Sequence, residues 1–188
     1  TATVHSEQEL LVSPHQIPET LRSVGSQGMI LVGNETFTQF TVKELHEGPT
    51  RASGWAIIST GMRLPGAGRH AVDYTTPIPD GTRLYLSAYP QGTPGTTVSE
   101  ISHQRKIVPL TVITPTFSEP SRGFDEFTFA EGEGELGGAS GGTIYILDPR
   151  TKLVKIGFLA GGVPKVDDSG WVWLIERPRL LSDACVAR

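Results

Sequence analysis

Cysteine is almost absent from this chain, since Cys185 is the only one among its 188 residues. A single cysteine cannot form an internal disulfide, which excludes the class of small secreted domains held together by disulfides. The composition fits a reducing cytoplasm, or a bacterial or viral protein that never relied on disulfides, and it leaves the location open. No signal peptide is visible, and because the sequence begins at Thr1 without a methionine, a processed or trimmed chain is one interpretation. A segment of a longer polyprotein or multidomain protein is another, and the sequence leaves this open.

A net positive charge, clusters of Lys and Arg, and long apolar runs are lacking as well. The formal net charge is −4 and no stripe of Lys or Arg occurs, so a nucleic-acid partner is not expected. No apolar run approaches the roughly 20 residues of a transmembrane helix, so a membrane span is not expected either. His5, His46, His70 and His103 show no metal-ligand spacing, and no cofactor is predicted.

Turn formers and short apolar runs make up most of the chain. It contains 22 Gly and 14 Pro, and its apolar runs are rich in Val, Ile and Thr, which favours short strands joined by turns. Helix is predicted only as one turn at residues 18–23 and as a short C-terminal helix at 176–187. The fold class is therefore all-β, a barrel or a sandwich. Strands are predicted at residues 1–4, 9–13, 29–32, 37–42, 55–59, 83–89, 106–113, 126–130, 143–147, 153–159 and 171–175.

A serine lies among glycines in the segment Gly137-Gly138-Ala139-Ser140-Gly141-Gly142, directly before the strand predicted at 143–147. Glycine lacks Cβ, so the backbone can turn sharply and bring its N–H groups close to a substrate carbonyl. An oxyanion hole is built from such N–H groups. The segment therefore indicates a nucleophile site at Ser140. Taken alone, a structural glycine turn would have the same sequence pattern.

Several segments together resemble the trypsin-like (chymotrypsin-fold) serine proteases, in a disulfide-free form of bacterial or viral type. A strand, a turn, a second strand and then Ser13-Pro14-His15 is similar to the histidine segment of that family. The segment 138–142 resembles its Gly-x-Ser-Gly-Gly motif, and Tyr89-Pro90-Gln91-Gly92 resembles a turn after the first strand of its second barrel. Residues 153–162 resemble the strand that lines its specificity pocket.

The resemblance implies a double barrel of two six-stranded antiparallel units, with the first strand missing before Thr1. The N-terminal barrel is expected at about residues 1–75, the C-terminal barrel at about 80–176, and a tail at 177–188. The implied site residues are a base at His15, a nucleophile at Ser140, oxyanion donors at Gly138 and Ser140, and a substrate pocket lined by Glu135, Ala160, Gly161 and Gly162.

The family's triad aspartate is missing. It heads a strand of the form Asp-x-Ala-aliphatic-aliphatic, and the matching segment here is Gly54-Trp55-Ala56-Ile57-Ile58. Loss of that carboxylate is expected to lower turnover by roughly 10⁴-fold unless something replaces it. Glu44, Glu47 and Asp73, expected in flanking loops, are candidate substitutes, and a Ser-His dyad oriented by water or a carbonyl is another. An aspartate introduced at position 54 is expected to raise the rate.

Two functions from different classes remain open. The first is a serine endopeptidase acting on polypeptide substrates, impaired to the extent that no acid replaces the aspartate. The second is an inactive protease-fold module that binds a protein partner, which Gly54 favours; a knockout at Gly54 in an active protease is a weaker third. An α/β-hydrolase is rejected, because a strand rather than a helix follows Ser140 and no histidine occurs beyond His103. The sequence leaves the oligomeric state open.

Overall fold

A computed structural model describes most of the chain as β-strands joined by loops and two short 3-10 turns. It describes residues 1–32, 36–50, 53–89, 105–114, 127–133, 136–150, 152–165, 169–179 and 181. The 3-10 turns are Pro14–Gln16 and Glu19–Leu21. The strands are β1 (Thr3–Val4), β2 (Glu9–Val12), β3 (Gln27–Val32), β4 (Thr36–Glu47), β5 (Gly54–Ser59), β6 (Ala71–Val72), β7 (Arg83–Ala88), β8 (Lys106–Val112), β9 (Thr128–Glu131), β10 (Thr143–Leu147), β11 (Leu153–Pro164) and β12 (Trp171–Glu176).

The first unit is an antiparallel sheet of five strands in the order β1-β2-β5-β4-β3. Its central strands β2 and β5 are apolar on both faces because both faces are covered. Leu10 and Ile58 point into the core of the first unit, whereas Leu11 and Ile57 point toward the second. This explains why β5 is a continuous apolar run instead of an alternating pattern.

The second unit is a closed antiparallel barrel. Its strand order is β10-β7-β8-β9-β12-β11, and a further pairing between β10 and β11 closes the ring of six. The short strand β6 adds to β11 in parallel, with Val72 opposite Lys155. Ala71–Val72 therefore belongs to the second sheet, although the sequence analysis placed it in the N-terminal half.

A shared apolar cluster joins the two units. Leu11, Trp55 and Ile57 of the first unit pack with residues of the second, among them Phe158 and Leu174. A polar contact crosses the same boundary: the buried Lys155 Nζ donates to the carbonyl of Val4 at 2.8 Å. Burial lowers the pKa of this ammonium. The candidate site lies at this boundary between the two units.

The predicted all-β double barrel is confirmed. Most predicted strands lie within two residues of the observed ones, but β4 and β11 run five residues further, to Glu47 and Pro164. The predicted C-terminal helix falls mainly on residues 180 and 182–188, outside the described part. No helix in the described part is long and apolar enough to cross a membrane.

Candidate active site

The nucleophile loop, residues 136–142, connects β9 to β10 at the edge of the second barrel that faces the first. Three of its amides are used to fold it. Ala139 N–H donates to Leu136 O at 3.0 Å, Gly142 N–H to Ala139 O at 2.9 Å, and Gly141 N–H to Leu159 O at 2.7 Å. Ala139 is fully buried beneath the loop. These bonds fix the position of Ser140, which is half-buried.

The amides of Gly138 and Ser140 are not used in this way. Among the hydrogen bonds between described residues, none has the N–H of Gly138 or of Ser140 as its donor. Gly138 is exposed, and the two amides without a described acceptor lie on either side of the Ala139 amide along the chain. Pairs of unused, fixed backbone N–H groups are suited to bind an anionic oxygen.

The first unit contacts the nucleophile loop closely at Gly141. This residue has φ +80°, and a Cβ there would meet the carbonyl oxygen of Thr1 and lie 2.5 Å from Oε1 of Gln16. Thr3 Oγ1 donates to Gly141 O at 3.0 Å and also pairs with Thr143 Oγ1 at 3.0 Å. Position 141 requires glycine both for its backbone conformation and for this close approach.

His15 lies in a tight turn directly after β2, which we call the histidine turn (residues 13–17). Gln16 N–H donates to Ser13 O and Ile17 N–H to Pro14 O, each at 3.0 Å. Proline suits the first position of such a turn because its φ is already set and no N–H is lost. The ring of His15 is fixed as well, since its Nδ1 lies 2.7 Å from Oγ of the fully buried Ser13.

Gln16 connects the histidine turn to the nucleophile loop. Its Nε2 donates to Ser140 O and to Thr1 O, each at 2.7 Å, and its Oε1 accepts from Ser13 N–H at 3.0 Å. The neighbour of His15 is thus bonded to the backbone of Ser140, 124 positions away. Gln16 was not predicted from the sequence, because no local pattern reveals a partner so distant along the chain.

The two candidate catalytic side chains are not hydrogen-bonded to each other in this structure. No hydrogen bond joins Ser140 Oγ to a described residue, the ring of His15 included, although the turn and the loop that carry them are linked through Gln16. Catalytic hydrogen bonds are often long or poorly aligned before substrate binds, so this geometry does not exclude the pair. The dyad stays a prediction.

Gly54 lies at the strand end next to the histidine turn. In the β2–β5 pair Val12 faces Ala56, so the start of β5 and the end of β2 are adjacent. Gly54 is buried, has φ +100°, and a Cβ there would meet His46 O and lie 2.7 Å from Gly48 N. The backbone of residues 46–48 fills the space that a side chain at position 54 would need.

The carboxylates considered as substitutes have other positions or partners. Glu44 and Glu47 lie in β4 and not in a loop, so that expectation was wrong, and both are exposed. Glu44 Oε2 is 3.9 Å from His46 Nε2. Asp73 Oδ1 accepts from the N–H groups of Thr75 and Thr76, each at 2.9 Å. Partial burial acts to raise the pKa of Asp73, but hydrogen bonds from Thr76 and Thr75 outweigh it and hold the value at about 2.

The predicted pocket residues fall into three groups. Ala160 is fully buried in the cluster between the barrels. Gly161 and Gly162 are half-buried at the end of β11, and Gly162 pairs with Trp173. A Cβ at Gly162 would lie 2.6 Å from Cζ3 of Trp173, so the indole covers this glycine. Glu135 lies outside the described residues. The pocket thus stays a prediction.

Within the described ranges no group of three His, Cys, Asp or Glu side chains lies close enough to hold a metal ion. The site consists of a hydroxyl, an imidazole and backbone amides.

Comparison with known proteins identifies the fold. No protein-family model matches this chain, and no curated protein does. A solved structure that is similar is the NS6 protease from murine norovirus 1, with a TM-score of 0.55 and 10% sequence identity. The match covers 97% of this chain and 88% of that one. The chain therefore has the trypsin-like protease fold, here with very little sequence in common with that neighbour.

Proposed function

We propose that the chain is a serine endopeptidase in which Ser140 is the nucleophile and His15 the general base. The observation that carries this proposal is the nucleophile loop. Its amides at 139, 141 and 142 hold the loop together, whereas those of Gly138 and Ser140 make no hydrogen bond within the described part. These two donors lie on either side of the Ala139 amide in a loop held by its other amides, which is the arrangement that an oxyanion hole needs.

The proposed reaction is acyl transfer to the Ser140 hydroxyl. Ser140 Oγ forms a bond to the peptide carbonyl carbon while His15 Nε2 takes the hydroxyl proton, and the carbonyl oxygen becomes an oxyanion held by the N–H groups of Gly138 and Ser140. The C–N bond then breaks and His15 gives the proton to the leaving amine. In the second half of the reaction a water oxygen bonds to the acyl carbon while His15 Nε2 takes its proton, and His15 then gives that proton to Ser140 Oγ as the acyl C–O bond breaks.

The solved protease of the same fold supports this assignment at the level of fold only, because 10% identity carries no information on the site. The bond from Gln16 to Ser140 O supports it independently, since it keeps the turn that carries His15 against the loop that carries Ser140.

A second candidate is an inactive protease-fold module that binds a protein partner. Gly54 favours it, because a triad aspartate cannot stand at a position whose Cβ would collide with the backbone of His46. The same collision argues against a simple knockout of an otherwise unchanged protease. The two remaining functions differ in one measurable property, the reactivity of the Ser140 hydroxyl.

The test is labelling with a fluorophosphonate, followed by mass spectrometry of the labelled peptide. We expect the parent to be labelled at Ser140, Ser140→Ala to give no label, and His15→Ala to reduce the labelling rate by at least about 10²-fold, because the hydroxyl loses its base. Ser169→Ala, at a serine just before β12, is the control and should label as the parent does. A folded parent that is never labelled would favour the binding module.

A further inference from the structure

Ser13 lies at the ring nitrogen of His15 that faces away from the nucleophile in a serine-protease dyad. Its Oγ is 2.7 Å from Nδ1, and the residue is fully buried. Resting on the function proposed above, we propose that Ser13 is a positioning residue. Its hydroxyl oxygen accepts a hydrogen bond from Nδ1–H of His15, and this keeps Nε2 unprotonated and available as the base for Ser140.

The anchored backbone of the histidine turn sets the position of the Ser13 side chain. Ser13 has extended backbone angles, φ −77° and ψ 140°. Its N–H donates to Gln16 Oε1 and its carbonyl accepts from Gln16 N–H, each at 3.0 Å. Both backbone groups are therefore anchored, and the buried side chain is directed at the imidazole two residues later.

A hydroxyl can do part of what a carboxylate does at this nitrogen. It can accept from Nδ1–H and so select the tautomer with a free Nε2, and its own hydrogen then has no acceptor among the described residues. It carries no negative charge, so it does not stabilise the imidazolium that forms during the reaction as the family's aspartate does. The proposal therefore predicts a reactive but slow Ser140, and it needs no acid at position 54.

The experiment reads the tautomer of His15 directly, by NMR of ¹⁵N-histidine-labelled protein at a pH where the ring is neutral. The His15 signals are assigned from their loss in His15→Gln. We expect the parent ring to carry its proton on Nδ1, and Ser13→Ala to move the population toward the Nε2–H form that free imidazole side chains prefer in water. Ser13→Thr keeps the hydroxyl and should keep the parent tautomer.

Fluorophosphonate labelling of the same samples gives the second readout. Ser13→Ala is expected to label Ser140 about tenfold more slowly, the factor that one hydrogen bond of ordinary strength corresponds to, and Ser13→Thr at close to the parent rate. Ser6→Ala is the matched control, because it removes a hydroxyl bonded to Glu9 Oε2 at 2.8 Å, away from the histidine turn. Should Ser13→Ala fail to fold, Ser13→Cys replaces it, since a thiol is close in size and a weak hydrogen-bond partner.

The outcomes separate this inference from the proposed function. A parent ring protonated on Nε2, or a tautomer ratio that Ser13→Ala leaves unchanged, would overturn the role of Ser13 even if Ser140 is labelled normally. A parent ring protonated on Nδ1 that shifts in Ser13→Ala, in a protein that is never labelled, would support the role of Ser13 and overturn the proposed hydrolysis.

Discussion

The nucleophile loop and the start of β5 both face the boundary between the two units, but they are built in opposite ways. Around Ser140, polar groups of the first unit approach the loop and bond to its carbonyls, as Thr3 and Gln16 do, while the amides of Gly138 and Ser140 donate to no described residue. Around Gly54, backbone alone fills the space. The loop of the proposed nucleophile is thus held by the first unit, whereas the space beside position 54 is filled by backbone.

The loss of an acid at position 54, which the resemblance to the family implies, would therefore involve the surrounding backbone and not that side chain alone. A residue with φ +100° and no room for Cβ belongs to a backbone arranged around glycine. If the site is active, the group that orients His15 has to come from elsewhere in the molecule. The histidine turn offers one on the ring itself, in the hydroxyl of Ser13.

The largest expected effect comes from adding a side chain at position 54. Gly54→Asp and Gly54→Ala should each lower the free energy of unfolding by about 3 kcal/mol or more, because the positive φ and the collision with residues 46–48 act together. Urea denaturation measures this. Labelling of Ser140 should not increase in Gly54→Asp, contrary to the expectation from sequence.

Gly25→Ala is the matched control for Gly54. Gly25 has φ +91°, close to that of Gly54, but open space surrounds its Cβ position. Its substitution should cost only about 1–2 kcal/mol, from the backbone alone. Equal losses at positions 25 and 54 would mean that packing at Gly54 is loose and that an acid there is sterically possible.

A smaller effect is expected from breaking the hydrogen bonds that Gln16 Nε2 donates to Thr1 O and Ser140 O. Gln16→Glu keeps an acceptor for Ser13 N–H but removes both donors, and it sets a carboxylate against the carbonyls of Thr1 and Ser140. We expect a loss of about 1–3 kcal/mol in unfolding free energy and slower labelling of Ser140. Gln39→Ala, at an exposed glutamine whose side chain bonds only to Gln27 among described residues, should change neither quantity. If folded Gln16→Glu is labelled at the parent rate, the hydrogen bonds of Gln16 have no effect on the reactivity of Ser140.

The smallest effect is expected at Asp73. Its pKa is about 2 in the folded chain against an ordinary 3.8, so the carboxylate contributes stability above about pH 4 and loses it as the pH falls toward 2. Because the group is partly exposed, screening limits this contribution to less than about 1 kcal/mol. Asp73→Asn keeps an acceptor for Thr75 and Thr76 but does not titrate, so its unfolding free energy should fall less steeply between pH 4 and pH 3 than that of the parent. Parallel pH profiles would contradict the assignment.

The fold was predictable from sequence because its signals are local. Short runs rich in Val, Ile and Thr between turn formers predict strands, and strands such as β10 were found at the predicted residues, 143–147. The ends of β4 and β11 were missed because polar or glycine residues there pair by backbone hydrogen bonds with a neighbouring strand, which side-chain patterns do not report. Ala71–Val72 was missed for the same reason, as a two-residue strand held by β11.

The sequence by itself determined the all-β class, the candidate nucleophile and base, and the absence of an acid at position 54, because composition, turn residues and motif spacing are properties of neighbours along the chain. Only the tertiary structure decided that Gln16 holds Ser140, that Ser13 faces the ring of His15, and that Gly54 has no room for a side chain. These depend on contacts between segments up to 124 positions apart, or on which way a buried side chain turns. Such contacts follow from how the two units pack against each other, and no local pattern encodes that packing.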